Sequence, residues 1–136
     1  AGTDYLAPAG NGSSLTGITA AQISGLIFTG AFASAAQTLT PGGTVTVSHG
    51  LGALPTIVLM ELVCTSNNNN FTAGQVLVYN PAGDVSSGST GWSVIKSTTS
   101  IVVRYGSFGF EYSDPTTGGA IVLDQTKFTL TIRAFK

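Results

Sequence analysis

The chain has 136 residues, only 8% of them charged, and five basic and six acidic side chains leave a formal net charge of −1. That length allows one domain with a sizeable core. The basic residues are scattered singly, which excludes the positive patch that nucleic acid or an anionic membrane surface requires. Mean hydropathy is positive, yet no apolar run approaches the roughly 18–20 residues of a membrane span. The apolar residues are therefore expected in strands and in contacts between subunits, with Thr, Ser, Asn and Gly supplying polarity. A single cysteine, Cys64, excludes an internal disulfide framework and reads as a core thiol. No secretory leader is visible, and the abrupt opening at Ala1 is that expected of a piece of a longer chain.

Residues 1–40 are rich in Gly, Ala, Ser and Thr, and Leu15-Thr16-Gly17-Ile18 is echoed by Ile23-Ser24-Gly25-Leu26. One reading is a helical turn over Ala20–Ser24, capped by Thr19 and ended by Gly25. The other is the end of a fibrous stalk whose short apolar residues meet around an axis. The segment is too short and Gly-rich to bury itself, so it is expected to pack against a partner.

Gly42–Cys64 holds two strands. Thr44–Ser48 alternates Val45 and Val47 with hydroxyl residues, the period-two pattern of a half-buried strand. Thr56–Cys64 is apolar on both faces and is expected to be covered on both sides. They are joined by His49-Gly50-Leu51-Gly52-Ala53-Leu54-Pro55. Asn67–Asn70 is a polar loop whose residues tolerate left-handed backbone. Phe71–Tyr79 is the next strand, and the turn Asn80–Asp84 and the loop Val85–Gly91 lead to Trp92–Lys96. After Ser97–Ser100 come Ile101–Tyr105 and then Ser107–Tyr112, with Phe108, Phe110 and Tyr112 on one face. Asp114–Gly119 is a turn, Ala120–Leu123 a short strand, and Lys127–Lys136 closes the chain with Phe128, Leu130, Ile132 and Ala134 inward. About eight strands at ten-residue spacing predict an all-β fold, an antiparallel, jelly-roll-like sandwich.

Chemistry has few candidates. His49 is the sole imidazole, and the adjacent Ser48 points to the opposite face, so a structural role in the turn is the better motivated one. One His and one Cys do not make a zinc site, Asp84 and Asp114 stand alone in their loops, and no cofactor is expected. Glu61, Asp84, Glu111, Asp114 and Asp124 are the only carboxylates outside the N-terminal segment that paired acid–base work could recruit. Asn11-Gly12-Ser13 and Asn70-Phe71-Thr72 match the glycosylation triplet. The aromatic-rich middle third is better supplied for binding: Trp92, Tyr105 and Tyr112, with Arg104 beside them, are candidate receptor contacts. The alternative is that these rings are core.

Val47-Ser48-His49-Gly50-Leu51-Gly52-Ala53-Leu54-Pro55, the apolar strand ending at Val63-Cys64-Thr65, and Phe71-Thr72-Ala73-Gly74-Gln75-Val76 together resemble the head domain of bacteriophage tail-fibre and spike proteins. Phe128–Ala134 is similar to that domain's final strand, and Gly2–Pro8 with Leu15–Ile18 to fibre-shaft segments; the Asn67–Asn70 run departs from the pattern. The resemblance implies a homotrimeric, extracellular virion protein with a shaft-like, trimerising segment at 1–40 and a head domain at 41–136 that touches a host-surface glycan or protein, or another virion component. In it His49, Gly50, Gly52 and Pro55 mark a structural turn. The charge and hydropathy pattern adds the expectation of no nucleic-acid binding and no membrane insertion. The rival expectations are a decoration or connector protein and a polysaccharide depolymerase. A binding head would expose rings and amides in a depression; a connector would show a flat apolar patch.

Overall fold

The computed structural model describes residues 28–79 and 90–136. The expectations for 1–27 and for 80–89, Asp84 included, lie outside the described residues. Within them the chain forms ten strands: β1 (Ala31–Ala33), β2 (Gln37–Thr38), β3 (Thr44–Ser48), β4 (Ile57–Cys64), β5 (Val76–Tyr79), β6 (Trp92–Lys96), β7 (Ser100–Tyr105), β8 (Phe110–Ser113), β9 (Ala120–Leu123) and β10 (Phe128–Phe135). A 3₁₀ turn at Gln125–Lys127, capped by the Asp124 side chain, precedes β10. No helix among the described residues is long and apolar enough to cross a membrane.

All pairings are antiparallel. β10 is the hub of the larger sheet: it pairs with β4 from Phe128↔Cys64 to Phe135↔Ile57, and with β1 and β2 on its other edge. β5 extends that sheet beyond β4. β3, β7 and β6 make a second sheet in that order, and β8 and β9 form a separate hairpin. The chain is thus an all-β antiparallel sandwich.

The alternation in the sequence decides which side chains meet between the sheets. Met60, Leu62 and Cys64 of β4 and Leu130, Ile132 and Ala134 of β10 face Val45 and Val47 of β3 and Ile101, Val103 and Tyr105 of β7, all buried. β-branched residues dominate these strands because they pack well on a pleated surface. The β6–β7 hairpin closes through Ser97, whose Oγ accepts the amides of Thr99 at 3.2 Å and Ser100 at 2.9 Å.

Three expectations are corrected. Residues 28–40, assigned to the shaft-like segment, belong in part to the sandwich: β1 and β2 pair with β10, the Thr29 amide donates to the Lys136 carbonyl at 2.7 Å, and Leu39 is 1% exposed. The strand expected from Phe71 begins only at Val76, because Thr72–Gln75 turns, with Gln75 Oε1 accepting the Thr72 amide at 2.8 Å. The strand expected from Ser107 begins at Phe110, and Ser107-Phe108 is a turn.

Candidate functional site

The residues expected to touch a receptor do not form one site. Trp92 and Tyr105 are cross-strand partners on the inner face of the smaller sheet and are 6% and 3% exposed. Trp92 is stacked between Phe110, with centroids 4.2 Å apart, and Tyr79, at 4.9 Å. Their rings pack the core, which leaves no face for a ligand. Arg104 follows from the strand alternation: it lies one residue before Tyr105 and so on the outer face, opposite Thr44 and Ser93. Tyr112 is half-buried on β8, edge-on to Phe71 at 6.0 Å, and donates its hydroxyl to the Val78 carbonyl at 3.0 Å. Burial pushes its phenol pKa up.

His49 sits in the wall of the turn that follows β3. Its Nδ1 accepts the Leu51 amide at 3.1 Å, and its Nε2 lies 3.1 Å from the Ser97 carbonyl, so Nε2 carries the proton. Gly50 and Gly52 both adopt positive φ, 62° and 69°, which a side chain would oppose. Lys96 Nζ donates to the Pro55 carbonyl at 2.7 Å, and Lys136 Nζ to that of Leu51. Every polar atom named here is spent on holding the turn.

The carboxylates are also engaged in structure. Glu61 Oε1 accepts from Arg133 Nε at 2.8 Å, and Glu111 lies on the exposed side of β8. Asp114 Oδ1 accepts the amides of Thr117 at 2.9 Å and Thr116 at 2.7 Å, and Oδ2 accepts from Asn70 Nδ2 at 2.7 Å. The amides of Thr117 and then Thr116 hold its pKa below the ordinary 3.8. Folding therefore favours the ionised form. That contribution is full above about pH 4 and is lost as the pH falls through the depressed value. Urea unfolding between about pH 5 and about pH 2 is expected to show a shallower acid limb for Asp114→Asn than for wild type. Asp124, whose pKa the Thr126 hydroxyl and amide lower, retains its own share.

The Asn run is a clamp. Asn69 and Asn70 form the tip of a tight turn closed by Asn68 and Phe71, which exchange backbone hydrogen bonds at 3.0 Å each way, and Asn69 takes φ 52°. Asn68 Oδ1 accepts the Asp124 amide at 3.1 Å, Asn69 Nδ2 donates to the Val122 carbonyl at 3.2 Å, and Asn70 reaches Asp114. The run thus ties the β8–β9 hairpin to the larger sheet.

Beside this clamp lies an open cleft of about 310 Å³, lined by Asn68, Ser107, Phe108, Val122, Asp124 and Gln125, among others. Phe108 is 70% exposed on the turn that leads into β8. Gly109 follows it at φ 100°, packed so closely that a Cβ there would overlap the Leu123 carbonyl. Gln125 is 2% exposed; its Nε2 donates to the Gly106 carbonyl at 2.8 Å, while its Oε1 has no hydrogen-bond partner. A buried acceptor left in that state costs on the order of 1–3 kcal/mol. The sequence reading missed this site by placing Phe108 on one strand face with Phe110 and Tyr112. The available signal was the glycine on either side of Ser107-Phe108, at Gly106 and Gly109, which marks a turn rather than a strand.

A second surface is apolar. The sequence predicted cover on both faces of β4, and the fold covers one. Met60 and Leu62 are enclosed, whereas Ile57 and Leu59 are exposed on the same face of the sheet as Val76 (53%) and Val78 (60%) of β5, which pair further along β4 with Val63 and Glu61. The Arg133–Glu61 pair is the ionic exception on this face. The outer face of the smaller sheet instead carries Thr44, Thr46, Ser48, Ser93, Ser100 and Arg104, with Val102 and Ile95.

Comparison with family models, curated proteins and solved structures returned no match.

Proposed function

We propose that this chain is the head of a homotrimeric bacteriophage tail-fibre or spike protein that attaches the virion to a host-surface glycan or protein without catalysis. The observation that carries the proposal is the cleft beside the Asn clamp, which an exposed Phe108 lines together with Asn68, Ser107 and Asp124. A ring with polar side chains in a depression is the kind of surface on which sugars and protein loops dock. The resemblance of the turn at His49–Pro55 to phage head domains supports the same reading.

The exposed side chains of Ile57, Leu59, Val76 and Val78 support self-association, since an apolar sheet face of this kind is usually covered by a partner. The same patch favours the connector as a second reading, in which another virion protein does the covering. Light scattering separates the two. The attachment head is expected at three times the 13.8 kDa chain mass, and Val78→Lys, which places a charge in the apolar contact, is expected to reduce it to the single-chain mass. A wild-type monomer at micromolar concentration would remove the homotrimer and leave the connector. Fluorescently labelled protein retained on bacterial cells tests attachment itself.

A further inference from the structure

We infer that the ion pair of Arg133 and Glu61 is the contact that matches one copy of this chain to the next, each arginine reaching its own Glu61 and that of the neighbouring copy. This rests on the homotrimer reading and names the residues that select the partner.

The strand register places the pair. On the outer face of the larger sheet Phe135 stands beside Ile57, Arg133 beside Leu59, Thr131 beside Glu61 and Thr129 beside Val63. Beyond β4, Glu61 is flanked by Val78 and Val63 by Val76. Arg133 and Glu61 are therefore diagonal neighbours across two strands, bordered by the exposed aliphatic side chains of Ile57, Leu59, Val76 and Val78. They are the only charged residues of β4, β5 and β10.

The pair is half satisfied. A single bond joins it, from Arg133 Nε to Glu61 Oε1 at 2.8 Å. The Nη groups of Arg133 and Oε2 of Glu61 have no partner among the described residues, and the side chains are 45% and 21% exposed. In a single chain water serves those atoms, and such an exposed pair adds little to stability.

Covering the face changes the requirement. A wholly apolar surface laid over it would strip water from the open donors and acceptor and return nothing. A cover that fits carries a carboxylate for Nη and a cation for Oε2, in equal number and set among aliphatic side chains. The same face of a second copy has that composition. The guanidinium is a planar fork whose donors point in more than one direction, so one arginine can serve two carboxylates. Three copies presenting this face to a common axis close a ring in which each Arg133 donates through Nε within its chain and through Nη to the neighbouring copy.

A double variant, Glu61→Arg with Arg133→Glu, keeps the pair within each chain and reverses the charge that a neighbour meets. It is expected to form trimers with itself, as wild type does. Every mixed trimer sets arginine against arginine at one junction and glutamate against glutamate at another. Mixed trimers are therefore expected to fall at least about tenfold below their statistical share. The measurement is native mass spectrometry of wild type co-expressed with the double variant, an affinity tag on one of them setting its mass apart. Tagged and untagged wild type, co-expressed, define the statistical share. Mixed trimers at that share, or a double variant that is folded but monomeric, would overturn the inference and leave the homotrimer standing. Wild type found only as a monomer would overturn the homotrimer reading and the inference with it. Arg133→Gln, at an exposed position, gives a reading that does not depend on the double variant folding. Sedimentation equilibrium is expected to show its trimer association weakened about tenfold or more, and unchanged association would overturn the inference.

Discussion

Trp92→Ala is expected to lower the unfolding free energy by about 3–5 kcal/mol, the range for removing a large buried ring. In a chain of this length that corresponds to a melting temperature lower by roughly 10–20 °C. The indole is held between Phe110 at 4.2 Å and Tyr79 at 4.9 Å, with Tyr105 at 5.9 Å. It therefore joins four strands, β5, β6, β7 and β8, of which only β6 and β7 share a backbone pairing. Deleting it leaves a void bordered by β5, β7 and β8, and β-sheet backbones collapse poorly into such a space because their hydrogen bonds fix the strand positions. Trp92→Phe retains a ring in the stack and is expected to recover more than half of the loss. Thermal unfolding followed by circular dichroism checks both variants. A shift of under about 2 °C for the alanine variant would show that the stack contributes little to stability.

His49→Ala is expected to cost about 2–4 kcal/mol, from the buried bonds lost and the volume vacated. The ring is 5% exposed, accepts the Leu51 amide and donates to the Ser97 carbonyl. Without it the Leu51 amide loses its partner in a turn whose glycines already restrict the backbone. His49→Asn offers Oδ1 to the same amide, two residues on, in an Asx-type turn, and is expected to regain roughly half of the loss. Urea denaturation of the three proteins distinguishes the bond to Leu51 from mere bulk: equal stability for the Ala and Asn variants would assign the whole effect to packing.

These two residues show how far the sequence could be read. The turn at His49–Pro55 was legible as a structural device because Gly50, Gly52 and Pro55 punctuate it within a few residues. Trp92 was harder. Its strand was evident from the alternation with Ser93 and Ile95, but its neighbours in the stack, Tyr79 and Phe110, come from distant parts of the chain. Whether it met a ligand or other rings could not be decided locally. The same holds for the cleft, whose Asn68, Phe108 and Gln125 converge only when the β8–β9 hairpin docks on the Asn clamp.

Local alternation was enough to find most of the strands and their inward faces. Side chains alternate residue by residue along a strand, so Val45 and Val47, or Leu130 and Ile132, commit to one side whatever their partners are. It also determined the all-β class, since no long helical period competes. The tertiary structure alone decided which of two apolar faces of β4 was enclosed. Both faces carry aliphatic side chains, and only the packing of the second sheet against Met60 and Leu62 leaves Ile57 and Leu59 outside. It decided likewise that Phe110 is core and Phe108 surface. Period two places both on one face, but Gly109 at φ 100° lies between them, and that turn of the backbone breaks the alternation on which the inference depended.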